Sequence, residues 1–472
     1  MSGLSLGTVN IDGIVTGLDT SSLINELANS RRLNLLKSKA TSLETKQNLY
    51  TTLNTRLASL DTALEAIQDS DDFREFSIAT ETGASYSVTA TGEALKGSYD
   101  ITVSQLAKSQ IGYFDTAAAT DGEFSSATTG GIFTNSGNVQ VTLNGGTAVD
   151  IAVDATTTLT SVASQINNIE GITAYVVQTE EADDTGGSDV FKMVIQADDT
   201  GQDAGGDRIS ITDTFGEGSN ITNEQAAQNA VIDVSGTTIT SDSNTITAVD
   251  GLTIVAEKED TTSYTTTLAL DTSAMASKVS AVVDAFNAVV SLVETNSNIT
   301  SSGTNQDSVT LGTFVGESTP RTIVTRLRTI MANNYGSALS ISGTTAGSQM
   351  GISTSATSGL LEFSSEEFIE ALEDNQTDVE SLFSDTSGSL ADALRDELKV
   401  YIQPSTGIIA EIDEAIDDEI GTMEDVIDAE ERRIAKFKAR LRKQFTGLET
   451  ITSTLKTTSS FLTSFFAPKA TT

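Results

Sequence analysis

The sequence predicts an α+β multidomain protein whose two ends are helical and whose middle is rich in β-strands. Near the N-terminus, apolar residues from Tyr50 to Ile67 recur at alternating steps of three and four. Near the C-terminus, isoleucine or leucine occupies every seventh position from Ile420 to Leu462. Such heptad stripes bury only against another helix. We therefore predict a terminal coiled-coil stalk made from both ends, a helical body, and two inserted antiparallel β-rich domains.

The first helix is expected to begin at Asp19 or Thr20, which are suitable caps, with Leu23, Ile24 and Leu27 on one face. The N-terminal heptads run on to about residue 70. Period-two alternation begins near residue 77 and returns between residues 231 and 270, which predicts strands. A short helix over 159–168 interrupts them, with Val162, Ala163 and Ile166 facing inward. Turns are predicted at Asn144–Gly145–Gly146, Ser235–Gly236 and Asp250–Gly251.

Helices resume near residue 271, where Val279, Val282, Phe286, Val289 and Val293 form a stripe. A further helix is predicted with Ser318 or Thr319 as its cap and Pro320 at its first position. Ser364 and Glu367 predict a capping box before another helix. Pro404 and Gly407 separate this body from the C-terminal heptads.

Composition excludes several classes of function. The 472 residues include no cysteine and no histidine, which excludes disulfides, thiolate zinc sites, Ser-His-Asp catalysis and His-zinc chemistry. The net charge of −39 argues against nucleic acid and anionic membranes as partners. Between Tyr113 and Glu257 the only basic residues are Lys192 and Arg208. No apolar run approaches a membrane span, and no cleaved secretory signal is visible.

Clustered carboxylates raise two alternatives. Glu180–Glu181 with Asp183–Asp184, and Asp198–Asp199, could be the paired acids of a glycosidase, but they lie in turn-like stretches. Asp199, Asp203 and Asp207 have the alternate spacing of a calcium loop, yet the twelfth position holds Ser210 instead of a bidentate glutamate. We therefore predict no catalytic residue, no metal and no cofactor.

Several motifs, taken in order, resemble one family. They are Gly17–Thr20 with Leu23, Ile24 and Leu27; the run from Gly97 to Gln110; Val141–Val177 with Asn167; Asn244–Ile246 with Gly251–Ile254; Gly312–Leu327; Gly351–Thr354; Val379–Phe383; and Gln444–Phe445 with Phe461–Leu462. The run from Gly97 to Gln110 is the most specific. The ordered set resembles the bacterial flagellar filament-capping protein family, also called hook-associated protein 2. Arg31–Arg32–Leu33 departs from it, since many members place a proline there.

The resemblance implies an oligomeric ring, expected to be a pentamer, that caps the flagellar tip while flagellin folds beneath it. It implies four partners besides the chain itself: flagellin, the hook-filament junction protein, a flagellar export chaperone and the type III export apparatus. The protein would be extracellular, at the flagellum tip, after export through the flagellar channel. The uncleaved segment from Met1 to Gly17 would serve as the export signal.

The same resemblance gives domain boundaries. Residues 1–42 and 440–472 are expected to be leg helices, partly disordered, for export and docking; residues 43–76 and 272–439 the helical body; residues 77–112 and 213–271 a β-rich head domain; and residues 113–212 an inserted outer head domain. The expected docking residues are Leu23, Leu27, Leu441, Leu448, Leu455, Phe461, Leu462, Phe465 and Phe466.

Two other classes of function stay open from the residues alone. Surface-exposed β domains at a filament tip would suit an adhesin. A secreted enzyme acting on polysaccharide is the third hypothesis. The absence of histidine and tryptophan and the dispersed carboxylates weigh against it, because tryptophan rings commonly stack on sugars.

Overall fold

The computed structural model describes residues 20–27, 31–116, 119, 122–180, 189–204, 206–301, 309–332, 350–384 and 388–465. About 47% of the chain is helical and 29% is strand. Two compact units form: unit 1 comprises residues 1–65, 279–368 and 381–472, and unit 2 comprises residues 66–278 and 369–380.

The helices lie mainly at the two ends of the chain, as predicted. They are α1 (Thr20–Leu27), α2 (Arg31–Gln68), α3 (Ser70–Phe73), α4 (Leu159–Ile166), α5 (Thr272–Ser297), α6 (Ser318–Met331), α7 (Ser365–Asp374), α8 (Gln376–Ser384), α9 (Leu390–Ile402) and α10 (Ile408–Phe465).

The strands of the middle segment are β1 (Phe76–Thr80), β2 (Tyr86–Ala90), β3 (Gly97–Gln105), β4 (Ser109–Asp115), β5 (Gly137–Leu143), β6 (Val149–Val153), β7 (Ile172–Glu180), β8 (Val190–Thr200), β9 (Ile209–Asp213), β10 (Asn220–Gln225), β11 (Ala230–Val234), β12 (Thr237–Ser241), β13 (Thr245–Val249), β14 (Leu252–Ala256) and β15 (Asp260–Leu270). Two short hairpins belong to the helical part: β16 (Ile299–Ser301) with β17 (Val309–Leu311), and β18 (Ile352–Thr354) with β19 (Leu361–Phe363).

All strand pairs of unit 2 are antiparallel, as the alternation predicts. The sheet orders are β1-β15-β3-β11-β12, β13-β14-β2, β10-β4-β8-β7 and β6-β5-β9. The first two sheets enclose a core around Ile101, Ile232 and Ile254. The other two enclose a core with α4, around Phe114 and Ile195, which also receives Phe215 and Ile221. The number of inserted domains and their boundaries stay predictions.

Local predictions in unit 2 are confirmed at α4 and at two turns. Val162, Ala163 and Ile166 are buried, and Thr158 with Ser161 closes a capping box at the start of α4. Asn144 and Gly145 have φ of 50° and 62°, and Ser235 and Gly236 have φ of 51° and 86°. Positive φ at two successive residues suits a tight hairpin turn, because its twist matches that of the flanking strands.

In unit 1, α2 buries the predicted apolar row within the chain. The residues of that row that belong to unit 1, from Tyr50 to Leu64, are 0% exposed. α2 lies beside α10 in the antiparallel sense, since Lys37 pairs with Glu431 at 2.7 Å while Gln47 donates to Asp417 at 3.5 Å. The long helices of the N-terminal and C-terminal parts of the chain therefore lie side by side. Whether they supercoil into a coiled-coil stalk stays a prediction.

The C-terminal heptad row is less buried than its spacing suggested. Ile420 and Ile427 are only half-buried, whereas Ile409, Ile416 and Met423 are 3%, 4% and 8% exposed. Two rows that each repeat every seven residues can lie side by side on one helix. The buried row here precedes the predicted row by four residues, as Ile416 precedes Ile420. Towards the end of α10, Leu448, Ile451 and Leu455 are exposed, whereas Glu449 is 7% exposed. A seam closed by the other terminus stays a prediction there, since residues 1–19 lie outside the described residues.

The predicted cap of α6 is also wrong. The helix begins at Ser318, its N-cap is Glu317, and Pro320 is the third helical residue. The Glu317 carboxylate makes no capping hydrogen bond, because it pairs with Lys46 at 2.7 Å and accepts from the Tyr50 hydroxyl at 3.0 Å. Burial raises the pKa of Tyr50, and the nearby carboxylate raises it further. Half of the predicted box before α7 is present: the Glu367 N–H donates to Ser364 Oγ at 3.4 Å.

By length and composition α5 could cross a membrane, since its mean hydropathy reaches 1.4 over one window. The predicted stripe on this helix is nevertheless buried, with Val279, Phe286 and Val289 at most 1% exposed. The core helix of a globular unit has this property as well. Lys278, Asp284 and Glu294 further interrupt the apolar sequence.

Candidate functional site

The candidate site is the second half of α10, where several apolar side chains are exposed. The helix runs 58 residues from Ile408 to Phe465. Its first part lies beside α2, and Lys438 donates to Asn25 of α1 at 3.0 Å. Ile24 of α1 is 1% exposed, so α1 is packed inside unit 1 at that residue. Leu441 and Phe445 of α10 are half-buried, and the apolar side chains from Leu448 onward become exposed.

We call the exposed apolar residues at this end the C-terminal apolar stripe. Its members and their exposed fractions are Leu448 55%, Ile451 63%, Leu455 64%, Phe461 63% and Leu462 47%. Leu448, Ile451 and Leu455 are spaced three and four apart and so share one face of the helix. The opposite face is polar, with Thr450, Ser453 and Thr457 exposed. A contiguous exposed apolar patch commonly marks an interaction site, whereas single exposed apolar residues are normal on any protein surface.

The structure brings some of the predicted docking residues into one element. Leu441, Leu448, Leu455, Phe461 and Leu462 all lie on α10, and Phe465 is its last residue. Leu23 and Leu27 lie on α1, but their side chains and that of Phe465 are outside the described residues. Phe466 and the predicted export segment from Met1 to Gly17 also lie outside them.

A band of basic residues was missed by the sequence reasoning. Between residues 432 and 443, α10 holds seven of the chain's 27 lysines and arginines. Arg433 pairs with Glu430 at 2.6 Å, Arg432 lies 3.7 Å from Asp428, and Arg440 stands over the ring of Phe437. In a chain with net charge −39, such clustering is itself a sequence signal. The band places positive charge directly before the C-terminal apolar stripe.

The predicted carboxylate clusters have structural uses where they are described. Asp207 Oδ2 accepts from Asn223 Nδ2 at 2.5 Å, and Asp207 Oδ1 accepts from the Ala227 N–H at 3.1 Å. Asp198 accepts from the Thr173 hydroxyl at 2.7 Å. The side chain of Glu180 and the whole of residues 181–184 are outside the described residues. Within the described ranges, no group of three or more acidic side chains is arranged to hold a metal ion.

Replacing Asp199, Asp203 and Asp207 together by asparagine is expected to lower the free energy of unfolding by only about 1 kcal/mol, through Asp207, where an amide NH₂ would face a donor. Calcium or a chelator should leave the melting temperature unchanged in the wild type and in the triple variant. Thermal unfolding of the wild type, the triple variant and the single variant Asp207→Asn measures this. A calcium-dependent rise in melting temperature that the triple variant abolishes would establish a metal site instead.

Two models of one family match the chain. The model described as flagellar hook-associated protein 2 N-terminus matches residues 16–110, and the model described as its C-terminus matches residues 227–457. Together they cover well over half of the chain. The second match includes α10 as far as residue 457, and thus Leu448, Ile451 and Leu455.

Individual proteins match over nearly their whole length. Flagellar hook-associated protein 2 of Escherichia coli (strain K12) is 27% identical over 484 residues, covering 98% of each chain. The A-type flagellar hook-associated protein 2 of Pseudomonas aeruginosa is 26% identical over 479 residues, covering 96% of each.

Among solved structures, the crystal structure of the D1-D2-D3 domains of the flagellar cap protein FliD from Escherichia coli superposes with a TM-score of 0.64. The match has 23% sequence identity and covers 78% of this chain and 99% of that one. It shows that the two proteins share a fold. With a family model matched at each end and relatives aligned from end to end, the chain belongs to the flagellar hook-associated protein 2 family.

Proposed function

We propose that this chain caps the growing tip of a bacterial flagellar filament and that flagellin folds and polymerises beneath it. The observation that carries the proposal is the C-terminal apolar stripe. Three of its side chains, on one helical face, are more than half exposed in the isolated chain. A surface that must dock into another assembly has this property, whereas a helix that only closes its own fold does not.

In this proposal the ends of the chain, residues 1–42 and 440–472, are legs that dock at the filament tip. Residues 43–76 and 272–439 form the helical body, and the β-rich head consists of residues 77–112 and 213–271 with the insertion 113–212. The docking residues are those predicted from the sequence: Leu23, Leu27, Leu441, Leu448, Leu455, Phe461, Leu462, Phe465 and Phe466.

We also infer the partners from the family. The chain would assemble with four further copies into a pentameric ring, and it would contact flagellin and the hook-filament junction protein. It would reach the outside of the cell through the flagellar type III export apparatus, accompanied by an export chaperone. The absence of cysteine supports this route, because a disulfide would hinder threading of an unfolded chain.

The adhesin hypothesis gains nothing from the comparisons, since the relatives named above are hook-associated proteins and the solved structure is a cap protein. The family is one of structural cap proteins and is not known for enzymes.

A truncation at Gln444 tests the leg assignment without touching the export segment Met1–Gly17. The shortened chain is expected to be exported and to fold its β-rich unit after export, but to leave a cap-deletion strain non-motile, with monomeric flagellin in the medium. The full-length chain, expressed at the same level, is the control. Motility, the flagellin content of the medium and hydrogen exchange of the purified protein are the measurements. Normal filaments on cells that carry the truncated chain would refute the leg assignment.

A further inference from the structure

Charge is separated into two blocks along α10. Residues 408–431 include eleven acidic residues and no basic one, and residues 432–443 include seven basic residues and no acidic one. We call the second block, residues 432–443, the basic band. A solvent-exposed helix is often laced by opposite charges three or four residues apart. In the described part of α10 such pairs join the two blocks only at their boundary, as Arg432 does with Asp428 at 3.7 Å.

Four cations of the basic band share one face of the helix. Arg432, Lys436, Arg440 and Lys443 follow one another at steps of four, four and three, and all four side chains are exposed. The half-buried Leu441 lies on the opposite side. Lys436, Arg440 and Lys443 make no ion pair with any residue that the structure describes. Their charge is therefore available to a partner.

An open groove of about 790 Å³ lies between α2 and α10, within unit 1. We call it the acidic groove, because five carboxylates and one lysine line it. The lysine, Lys37, pairs with Glu431 at 2.7 Å. Glu44, Glu424 and Asp425 are exposed and make no ion pair within the described residues. The groove therefore keeps an excess of negative charge, which attracts cationic groups.

A glycine in the interior of α10 lines the same groove. Gly421 is exposed, and a Cβ built on it would meet no atom within 4 Å. Glycine is the least favourable residue in a helix interior apart from proline. Since no described part of the chain packs closely against Gly421, the fold itself gives no reason for a glycine there. Close approach of a second molecule gives one, because a side chain at this position would narrow the groove.

The basic band cannot reach the acidic groove of its own chain. Both surfaces lie on α10, where Asp425 and Lys436 are eleven residues apart, about 16 Å along the helix axis. That separation is longer than a lysine side chain. A second copy of the chain carries the same band on a helix that is free to lie beside this one.

We propose that the exposed face of the basic band of one copy docks on the acidic groove of a second copy. Three cations without an ion pair then face three carboxylates without one, and Gly421 admits the incoming helix. This contact joins copies of the ring proposed above and so rests on that self-association. Complementary charges fix the register of two surfaces and speed their encounter, while each exposed pair adds only modest affinity.

Charge reversal of either surface tests the contact. The band variant carries Lys436→Glu, Arg440→Glu and Lys443→Glu, the groove variant carries Glu44→Lys, Glu424→Lys and Asp425→Lys, and the combined variant carries all of these changes. Sedimentation velocity of the full-length protein in about 0.1 M sodium chloride, where charges act over about 10 Å, measures self-association. The band variant and the groove variant should each associate about tenfold more weakly or worse, because like charges then face each other. The combined variant should regain the wild-type association.

The groove variant separates a specific contact from the general repulsion between acidic chains. Its lysines make the chain less acidic, so general repulsion alone predicts tighter association. Reversal of three exposed cations outside the basic band, by Arg56→Glu, Lys96→Glu and Arg321→Glu, is the matched control and should weaken association far less than the band variant does.

Three results would contradict the contact. A groove variant that associates more tightly than the wild type, or a combined variant as weak as the band variant, would overturn it and leave the ring and the cap standing. A wild type that stays monomeric would overturn the ring as well. A band variant that assembles normally but fails to cap would assign the band to an acidic partner in the filament and would overturn the contact between copies.

A substitution without charge tests the groove independently. Gly421→Leu should leave the free energy of unfolding at or above that of the wild type, because leucine favours a helix more than glycine does. It should nevertheless weaken self-association severalfold, since the new side chain occupies the groove. Ala415→Leu, at an exposed position of α10 outside the groove lining, is the matched control and should associate as the wild type does. Equal association of Gly421→Leu and this control would overturn docking in the acidic groove.

Discussion

Replacement of Leu448, Ile451 and Leu455 together by aspartate is expected to abolish filament capping while the free protein stays as stable as the wild type. The three side chains are 55%, 63% and 64% exposed, so the isolated chain loses little when they become polar. A docked complex would lose their burial, worth about 1.5–3 kcal/mol for each fully buried side chain. A total loss of about 5 kcal/mol lowers affinity more than a thousandfold, at about 1.4 kcal/mol for each factor of ten.

The matched control uses the opposite face of the same helix segment. Thr450, Ser453 and Thr457 are exposed there, and their replacement by aspartate adds the same three charges. This control should cap filaments as the wild type does. Motility of a cap-deletion strain and the amount of monomeric flagellin in the medium separate the two variants, and thermal unfolding checks that both remain folded. A stripe variant that still caps, or a control that fails equally, would show that the C-terminal apolar stripe is not the docking surface.

Regular periodicity made the main elements predictable. The row from Tyr50 to Ile67 is 0% exposed at each position, because a long stripe at steps of three and four has one structural solution. Alternation and turn chemistry likewise identified the β-rich middle, since a shift of one residue would turn every apolar side chain outward. Such patterns involve residues that are close together in the sequence, so they can be recognised from the sequence alone.

What the sequence could not show depends on contacts between distant residues. Glu317 serves as an N-cap without a capping bond because its carboxylate is held by Tyr50, 267 positions away. The row of α10 that would be buried could not be chosen, since spacing alone fits both neighbouring rows. The buried Glu217 carboxylate, which accepts from the backbone N–H groups of Thr134 and Asn135, was missed for the same reason, because those residues lie some eighty positions earlier and belong to no recognisable motif.

Side-chain amides that imitate a peptide group were also missed, although three of the four, Gln110, Asn167 and Asn244, lie in motifs that carry the family resemblance. In each case the amide NH₂ donates to the backbone carbonyl of another residue, and the amide oxygen accepts from the backbone N–H of that other residue. Such pairs satisfy backbone groups that lie outside a sheet ladder. They are Gln110 with Ile209, Asn167 with Ala174, Asn244 with Ala107, and Asn287 with Leu361.

Gln110 forms the most deeply buried of these pairs. Its side chain is 0% exposed. The Ile209 N–H donates to Gln110 Oε1 at 2.6 Å, and Gln110 Nε2 donates to the Ile209 carbonyl at 3.0 Å and to Asn223 Oδ1 at 2.8 Å. Asn223 in turn donates to Asp207, so the last residue of the most specific sequence motif begins a hydrogen-bond network that runs from the buried Gln110 to the exposed Asn223 and Asp207.

Gln110→Leu is therefore expected to destabilise the protein by about 3 kcal/mol, even though leucine is apolar and of similar size. The change leaves the N–H and C=O of Ile209 without partners in a buried site, and each such group costs about 1–3 kcal/mol. Urea unfolding of the β-rich unit, followed by circular dichroism, measures the loss. Gln165→Leu is the matched control: Gln165 is exposed on α4 and makes only a 3.5 Å contact to Ser161, so its change should stay within about 0.5 kcal/mol. If Gln110→Leu is as stable as the control, the amide does not satisfy the Ile209 backbone and burial of its methylene groups is its main contribution.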